Sequence, residues 1–545
     1  MKFDTEQAIK CLIVQTRFSS YSFWNYREVC DIVGAKYPAA PLGLLTVAAL
    51  LPQNWTFRLI DENIEPLLDE HLKWADLVCT GGMLPQQKSL LEFIERAHNL
   101  NCIMVVGGAD PSSQPDIYRD ADFLVLGEGE ATIPMFLEDL TNGAIKGIYK
   151  SDVKVDMLKA VVPRYDLIRF SDYMMNGIQF IRGCPFNCEF CDVIELFGRK
   201  PRYKSTEQII KEIQYLYDLG YRGHIDFVDD NFIGHKKKVK ELLLEVKRWS
   251  ADHKYPFYFS TEASLDLADD EELLQLMKDV DFRYVFLGIE TPENETLAYN
   301  QKKQNVNKSV TDAVKKIMSY GMVCNGGFII GFDTDSANIA DVMISCIQKS
   351  GISMAMLGFL YGLPNTQLTR RLEKEGRLFQ NSSKAVDDND IDQSTSGLNF
   401  VTKIPRTDVI KNYLRVIEFI YEPVNYYKRV IYNGLHLKTS YKFKPNFGEW
   451  LIYMRSFLKV CKKEGFNKKT AKLYWKMFFT VLFRNPKGLE PAVNLAAMFI
   501  HFRNQKDYVV RQMNAMIKEV EAESEAAFNN RMLNKVVEPV SLADK

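Results

Sequence analysis

The stretch GIQFIRGCPFNCEFCD at residues 177–192 determines the architecture that we expect for this chain. An apolar strand pattern runs directly into a loop that holds Cys184, Cys188 and Cys191, spaced C-x3-C-x2-C. Three thiolates on one tight loop can converge on a single metal centre. Structural zinc sites usually have four ligands, and no second Cys/His pair follows at zinc spacing. Three thiolates instead favour a [4Fe–4S] cluster with one iron open for chemistry; a zinc knuckle or a chance spacing is the alternative.

Strand and helix patterns alternate from this loop toward the C-terminus. Apolar strand patterns occur at 177–183, 223–230, 256–263, 284–290, 326–332 and 354–362, and helical patterns such as 309–320 separate them. Six such repeats predict a partial (β/α)6 barrel, with the functional loops at the carboxyl ends of its strands. We expect this barrel to span residues 176–380.

The same alternation precedes the cysteine loop. Strand patterns lie at 9–18, 56–63, 75–82, 102–108 and 122–130, with helical patterns at 41–52, 86–100 and 131–140. This order predicts a Rossmann-like α/β domain over 1–145, which would bind a ligand at the carboxyl ends of its parallel strands. Residues 146–175 are predicted to be a linker, and 381–545 a mostly helical C-terminal extension.

Composition excludes several classes of protein. The 545 residues carry 69 Lys+Arg against 70 Asp+Glu, a net charge of −1, so a nucleic-acid-binding protein is not expected. The N-terminus lacks an apolar signal core, and no apolar run reaches the length that spans a bilayer. We therefore expect a cytoplasmic protein with reduced thiols. Residues 428–487, however, hold fifteen Lys and Arg against two Glu. This segment is open to three interpretations: a solvated face, contact with anionic lipid headgroups, or a nucleic-acid site.

The cysteine loop, with Phe190 before its last cysteine, resembles the signature of the radical S-adenosylmethionine (SAM) superfamily. The resemblance implies that SAM binds the open iron and is cleaved to a radical that removes hydrogen from an unactivated C–H bond. By the family pattern, further residues at strand ends are implied to contact SAM, although ordinary strand-end capping is the alternative for the polar ones. They are Asp229, Asp230, Asn231, Glu262, Glu290 and the run Gly327, Ile329 and Gly331.

A Rossmann-like domain before such a barrel resembles the cobalamin-binding class of radical SAM enzymes. The segments PLGLLTVAALLP (41–52), VVGGADPS (105–112) and VLGEGE (125–130) are similar to that class. The resemblance implies a cobalamin cleft lined by Gly107, Gly108, Ser112, Gly127, Glu128 and Gly129. One departure concerns the cobalt-ligating motif Asp-x-His-x-x-Gly. Residues Asp69, Glu70 and His71 match its first three positions, but Trp74 stands where the motif has glycine. His71 is therefore interpreted as a surface or packing residue.

This resemblance implies a cobalamin-dependent radical SAM methyltransferase, similar to hopanoid C-2 methylases, acting on a hydrophobic polycyclic lipid or a tetrapyrrole. The expected cofactors are the [4Fe–4S] cluster, SAM and cobalamin. Reduced flavodoxin or ferredoxin is the expected electron donor, and peripheral membrane contact is left open. Two alternatives remain: a cyclase or oxidative enzyme with the same cofactors, and a non-catalytic iron–sulfur module. Tyr361, Asn365 and Tyr421 are candidates for positioning a substrate near the barrel mouth.

Overall fold

The computed structural model describes residues 8–19, 22–380, 392 and 394–535. The strands, in chain order, are β1 (Lys10–Gln15), β2 (Tyr37–Ala39), β3 (Thr56–Asp61), β4 (Leu77–Gly81), β5 (Met104–Gly107), β6 (Phe123–Leu126), β7 (Gly147–Lys150), β8 (Tyr173–Ile178), β9 (Ile181–Arg182), β10 (Arg202–Tyr203), β11 (Gly223–Phe227), β12 (Phe257–Ala263), β13 (Phe282–Glu290), β14 (Val323–Ile330) and β15 (Ala355–Phe359).

The helices are α1 (Arg27–Val33), α2 (Leu42–Leu50), α3 (Asp69–Trp74), α4 (Gln87–Asn99), α5 (Ala109–Ser113), α6 (Gly129–Thr141), α7 (Val193–Leu196), α8 (Thr206–Asp218), α9 (Lys236–Asp252), α10 (Glu271–Asp279), α11 (Asn294–Tyr299), α12 (Val310–Met318), α13 (Ile339–Ser350), α14 (Gln367–Lys374), α15 (Arg406–Ile420), α16 (Pro423–His436), α17 (Phe447–Gly465), α18 (Ala471–Arg484), α19 (Leu489–Glu523) and α20 (Glu525–Leu533). Within the described ranges, no helix combines the length and the apolar character needed to cross a membrane.

The first sheet is parallel throughout, in the order β3-β1-β4-β5-β6-β7. Its central strands are short apolar runs, as expected for strands that are buried on both faces. One face packs Ile13, Cys79 and Val105 against α2 and α6, and the other packs on α4. Strand order reverses at β1, so the crevice for a ligand lies beyond the carboxyl ends of β1 and β4.

The second sheet is also parallel, in the order β15-β14-β13-β12-β11-β8-β2. Strands β8 and β11 to β15 run in chain order across this sheet and form the predicted (β/α)6 half-barrel. Its edge strand β2 comes from the N-terminal segment, which the sequence analysis did not foresee. Residues 146–175, predicted as a linker, contribute β7 to the first sheet and part of β8 to the second.

The C-terminal helices pack on the outside of the barrel. Tyr413 of α15 stacks on Phe359 of β15 with ring centroids 4.1 Å apart, and Arg415 pairs with Asp341 of α13. One continuous apolar core therefore runs from the barrel strands into the helical extension. The predicted fold class, an α/β architecture with a helical C-terminal region, is confirmed.

Candidate active site

The cysteine loop is closed at its base by a small antiparallel ribbon. Strand β9 pairs with β10, joining Arg182 to Arg202, so residues 183–201 form one loop beyond the barrel edge. Gly183 has φ +87°, and a Cβ there would lie 2.8 Å from the carbonyl oxygen of Gly198. Only glycine fits this close approach, and the chain therefore turns sharply into Cys184.

The three cysteines share one electrostatic environment. Burial raises the pKa of Cys184, Cys188 and Cys191, and the neighbouring thiols raise the pKa of Cys184 and Cys191 further. Buried thiolates need a compensating positive centre, which suits an iron–sulfur cluster. Across the residues that the structure describes, no three His, Cys, Asp or Glu side chains already converge as a ligand set. Ligation of a cluster by these three thiols therefore stays a prediction.

Asp229 holds the backbone that leads into this loop. Its Oδ1 accepts hydrogen bonds from the backbone N–H groups of Phe180 (2.9 Å) and Ile181. Asp229 is 1% exposed, its Oδ2 has no hydrogen-bond partner, and burial raises its pKa well above the ordinary value. Its geometry thus indicates a positioning role for the β8–β9 turn, beside the predicted contact with SAM.

The next two predicted residues occupy the end of β11. Asp230 lies at the solvent-accessible rim of the site, where partial desolvation together with the negative charge of Asp192 raises its pKa to about 6. Asn231 is 4% exposed, and its Oδ1 is buried without a hydrogen-bond partner. An orphaned buried amide oxygen beside an accessible carboxylate is suited to bind an ammonium group such as the amino group of SAM.

The inward face of the barrel carries a ladder of polar groups across β11 and β12. Ser260 donates a hydrogen bond to Asp226, and His224 Nε2 lies 2.7 Å from Ser260 Oγ. Burial and the charge of Arg283 lower the pKa of His224 to about 3, so the imidazole is neutral. Burial, Asp226 and two other carboxylates raise the pKa of Glu262 to about 8. The sequence signal for this ladder is the alternation of polar His224 and Asp226 with apolar Ile225 and Phe227.

Aromatic side chains complete this inward face. Phe286 lies beside Glu262 in the strand register, and Trp24 packs on Phe286 with ring centroids 5.1 Å apart. Trp24 belongs to a short 3-10 helix, Phe23–Asn25, which Phe23 anchors by stacking on Phe502 of α19. Sequence reasoning missed Trp24, because no local pattern shows that the N-terminal segment crosses the open side of the barrel. We name this inward face, on which Asp226, Glu262 and Phe286 are half-buried, the barrel chamber.

Glu290 and the glycine run lie at the top of β13 and β14. Glu290 has φ +65° and forms a buried ion pair with Lys302 at 2.6 Å. A Cβ on Gly327 would lie 3.1 Å from the ring of Phe286, while Gly331 has φ +109° and would meet Leu398 at 2.5 Å. Ile329 lies between them, half-buried on the inward face. Gly327 thus lets the ring of Phe286 pack directly on the backbone of β14, and the contact of this glycine run with adenine stays a prediction.

The predicted cobalamin residues form linked loops at the carboxyl edge of the first sheet. Ser112 Oγ donates to the carbonyl oxygen of Gly108 (2.6 Å) and accepts from the N–H of Gly127 (2.7 Å). Cβ atoms on Gly107 and Gly108 would lie 2.7 Å from backbone atoms of Val125 and Gly82 respectively. These glycines thus allow neighbouring backbones to approach closely, and the loops that they shape border the ligand crevice.

Two arginines hold Glu128 and join the two sheets. Arg182 of β9 and Arg202 of β10 each donate to Glu128 Oε2 at 2.8 Å, and Arg182 also bonds Glu130 at 3.0 Å. Glu128 is 6% exposed. The predicted cobalamin-side turn, whose Gly129 begins α6, is thereby clamped to the ribbon that carries the cysteine loop.

The three substrate-positioning candidates lie in different places. Asn365, in the loop after β15, donates to the carbonyl oxygen of Ser113 at 2.8 Å and so contacts the first domain at the barrel mouth. Tyr361 is buried directly after β15. Tyr421 donates to the carbonyl oxygen of Ala355, where β15 begins, so the prediction of Tyr421 at the mouth was wrong. His71 caps α3, where its Nδ1 accepts the N–H of Leu68 at 3.2 Å.

Comparisons with known proteins agree with this geometry. The profile of the Radical SAM superfamily matches residues 178–343, and a domain of unknown function, DUF4070, matches 366–515. An uncharacterized methyltransferase of Synechocystis is 38% identical over 91% of this chain and 92% of its own length. The hopanoid C-2 methylase of Rhodopseudomonas palustris is 34% identical over 79% of this chain and 80% of its own. The chain belongs to the radical SAM methyltransferase family.

Solved structures extend the likeness of this radical SAM methyltransferase to its fold. OxsB, a cobalamin-dependent SAM radical enzyme with aqua-cobalamin bound, superposes with a TM-score of 0.57 at 16% identity, covering 97% of this chain and 83% of OxsB. TsrM from Kitasatospora setae, with cobalamin and a [4Fe–4S] cluster bound, superposes with a TM-score of 0.56 at 15% identity, covering 68% and 75%. The predicted family resemblance is confirmed. Its radical SAM domain implies a [4Fe–4S] cluster and SAM as cofactors.

Proposed function

We propose that this enzyme uses cobalamin to methylate an unactivated carbon of a hydrophobic small molecule, a polycyclic lipid such as a hopanoid or a tetrapyrrole. The observation that carries the proposal is the pair of hydrogen bonds by which Arg182 and Arg202 hold the ribbon of the cysteine loop against Glu128 at the carboxyl edge of the first sheet. The hopanoid C-2 methylase among its relatives supports the lipid class. The cluster and SAM, when bound, supply the hydrogen-abstracting radical, and cobalamin carries the methyl group.

We assign the predicted residues to three parts of this site. Cys184, Cys188 and Cys191 would hold the cluster. Asp230, Asn231, Glu262, Gly327 and Ile329 would surround SAM, with Asp229 and the Glu290–Lys302 pair fixing the backbone next to it. The loops at Gly107, Gly108, Ser112, Gly127 and Gly129 would border cobalamin, and Glu128 would hold them in register with the cysteine loop.

The chamber walls give this chain the means to hold an amphipathic polycycle. Trp24 and Phe286 offer apolar ring surfaces, which bind a flat or alicyclic skeleton by excluding water. Asp226 and Glu262 offer carboxylates for a hydroxyl or amine of the substrate. Because burial raises the pKa of Glu262 to about 8, this carboxyl is able to donate as well as accept hydrogen bonds, whereas Asp226 accepts one from Ser260.

The electron for SAM cleavage has to reach the cluster from a separate protein. Apart from the three loop cysteines, the cysteines of this chain are scattered through its core and partly buried helices. We propose reduced flavodoxin or ferredoxin as the donor. Replacing a chemical reductant by each reduced protein in the assay below tests this choice.

The experiment is anaerobic. The protein is reconstituted with iron, sulfide and hydroxocobalamin, desalted, and analysed for bound iron and cobalt. It is then incubated with SAM, a reductant and an unmethylated hopanoid or a magnesium porphyrin. A product heavier by about fourteen daltons, formed together with 5′-deoxyadenosine and S-adenosylhomocysteine, is the expected result.

Two variants separate the parts of the proposal. Cys188→Ala is expected to lose iron and all 5′-deoxyadenosine, whereas the matched Cys346→Ala, in α13, should keep both. A product of unchanged carbon count would contradict methyl transfer and favour the cyclase alternative. Retained iron without retained cobalt would contradict the cobalamin assignment and leave the radical SAM barrel intact.

A further inference from the structure

The first half of α17 is an apolar helix that nothing in the described chain covers. Residues 447–455, FGEWLIYMR, are exposed at all but one position. Phe447 is 76% exposed, Leu451 49% and Leu458 62%. These three residues recur at helical spacing with Trp450 and Met454, so they form one continuous stripe. Solvent-exposed apolar stripes of this kind mark an interaction surface.

The next helix, α18, also has an exposed apolar face, and two lysines lie on that same face. Lys472, Lys476, Phe479 and Phe483 are exposed and spaced by four, three and four residues, so they share one face of the helix. Phe483 is 78% exposed and stacks on Phe479. The turn between the helices adds Phe466, 77% exposed. We name α17, α18 and this turn the aromatic-basic hairpin.

The charge of the hairpin is positive and is not offset within it. Between 447 and 484 the sequence has nine Lys and Arg and only Glu449 and Glu464. Glu449 caps α17, where its Oε2 accepts the N–H of Asn446 at 2.8 Å. Glu464 is fully buried and pairs with Arg503. Nearly all the lysines and arginines of the hairpin remain exposed, among them Lys468, Lys469 and Lys472.

The hairpin is held beside the N-terminal edge of the barrel. Just before α17, Phe443 packs on Tyr258 of β12 with ring centroids 5.5 Å apart, and its N–H donates to Asp281 at 2.8 Å. Farther along α17, Ser456 donates to the carbonyl oxygen of Ile32 in α1 at 3.1 Å. Helix α1 begins three residues after Trp24, whose ring packs on Phe286 of the barrel's inward face. The exposed stripe therefore starts next to the barrel interior.

We propose that the aromatic-basic hairpin docks this enzyme onto the surface of an anionic phospholipid bilayer. Aromatic and aliphatic side chains enter the headgroup region, and the surrounding lysines and arginines attract anionic headgroups. The positive charge of the hairpin complements the anionic headgroups, and its exposed aromatic side chains complement the apolar layer beneath them. The apolar substrate would then be delivered where it dissolves, and this last consequence alone rests on the proposed function.

The test is co-sedimentation of the full-length protein with vesicles, which requires no SAM, cobalamin or substrate. Phosphatidylcholine vesicles are compared with vesicles that also contain phosphatidylglycerol. We expect binding to the anionic vesicles only, weakening as salt increases. The triple variant Phe447→Ser/Leu451→Ser/Leu458→Ser should weaken binding by about tenfold or more. The charge variant Lys468→Glu/Lys472→Glu/Lys476→Glu should abolish the preference for phosphatidylglycerol.

A matched control alters three equally exposed apolar side chains of the first domain: Ile145→Ser/Ile148→Ser/Val153→Ser, which are 72%, 64% and 71% exposed in the native chain. This control should bind like the native protein, and circular dichroism should show that every variant is folded. Equal binding by the hairpin and control variants would overturn the proposal. The proposal would also be overturned if the native protein were a dimer that does not bind vesicles and the hairpin variant were a monomer. The hairpin would then be covered by a second copy of the chain. Since activity is not read out, neither result depends on the methyltransferase proposal.

Discussion

Arg182→Met tests whether the clamp between the two sheets is as strong as its geometry indicates. Arg182 binds Glu128 at 2.8 Å and Glu130 at 3.0 Å, and the exposed side-chain fractions are 11%, 3% and 8%. Methionine keeps the apolar stem and removes the charge. Removing one partner of a buried ion pair costs about 3–5 kcal/mol, since the remaining charge is left uncompensated. Glu128 keeps Arg202, so only Glu130 is stranded and we expect a loss of about 3 kcal/mol.

The loss should depend on pH. Arg182 holds the pKa of Glu130 below its ordinary value against the opposing effect of burial. A lowered carboxylate pKa stabilises the folded state above the pKa of the unfolded chain, and this contribution disappears as the pH falls through the folded value. In the variant, burial alone acts and favours the protonated carboxyl. The stability difference between native protein and variant should therefore be large at pH 7 and shrink only as the pH falls through the folded pKa of Glu130, which lies below its ordinary value of 4.5.

Hydrogen exchange measured by mass spectrometry is the appropriate assay, because a chain with several domains does not unfold in one step. Peptides covering β6 with the turn after it, and β9 with the cysteine loop, should exchange faster in Arg182→Met. The matched control is Arg119→Met, whose partner Asp116 and whose own side chain are 79% and 71% exposed, and which should cost no more than about 1 kcal/mol. Equal protection in the two variants at pH 7 would refute the reasoning.

Three further substitutions probe the site. Asp229→Ala should lower iron retention after reconstitution, because the N–H groups of Phe180 and Ile181 lose their acceptor. The matched variant Asp229→Asn keeps one amide oxygen as an acceptor and should retain iron. Equal iron content in the two variants would contradict the positioning role. Glu262→Gln should gain stability over the native protein as pH rises from 5 to 8, by about 2 kcal/mol in hydrogen exchange of the β11 and β12 peptides. A carboxyl whose folded pKa is about 8 destabilises the folded state over this range, because the unfolded chain is already ionised, and partial exposure reduces the full effect. A constant difference across this range would argue against the raised pKa. Gly108→Ala should destabilise the first domain by about 2–4 kcal/mol, since its Cβ meets backbone at 2.7 Å. Gly34→Ala, with a similar positive φ and open space, should cost about 1 kcal/mol, and equal losses of hydrogen-exchange protection around the two positions would exclude the steric explanation.

Much of the architecture could be predicted from local patterns. The cysteine spacing, with a glycine before it, specifies a loop that holds three thiols within one short segment, whatever the rest of the chain does. Short apolar runs such as those of β4 and β5 predict strands buried on both faces, because only a parallel sheet covered by helices accommodates them. The alternation of strand and helix then determines the parallel order of β8 and β11 to β15 by chain connectivity.

Other features depend on contacts between residues far apart in the chain, which no local pattern encodes. Strand β2 completes the barrel sheet because its backbone pairs with β8, a residue separation of more than a hundred. Glu128 looked like part of a ligand-binding turn, yet its carboxylate is held by Arg182 and Arg202 from the next domain. Trp24 faces the chamber because Phe23 anchors its segment on α19. The sequence by itself therefore determined the strand and helix pattern and the cysteine loop, whereas the tertiary structure decided which distant side chains meet, since burial and charge pairing act through space and not along the chain.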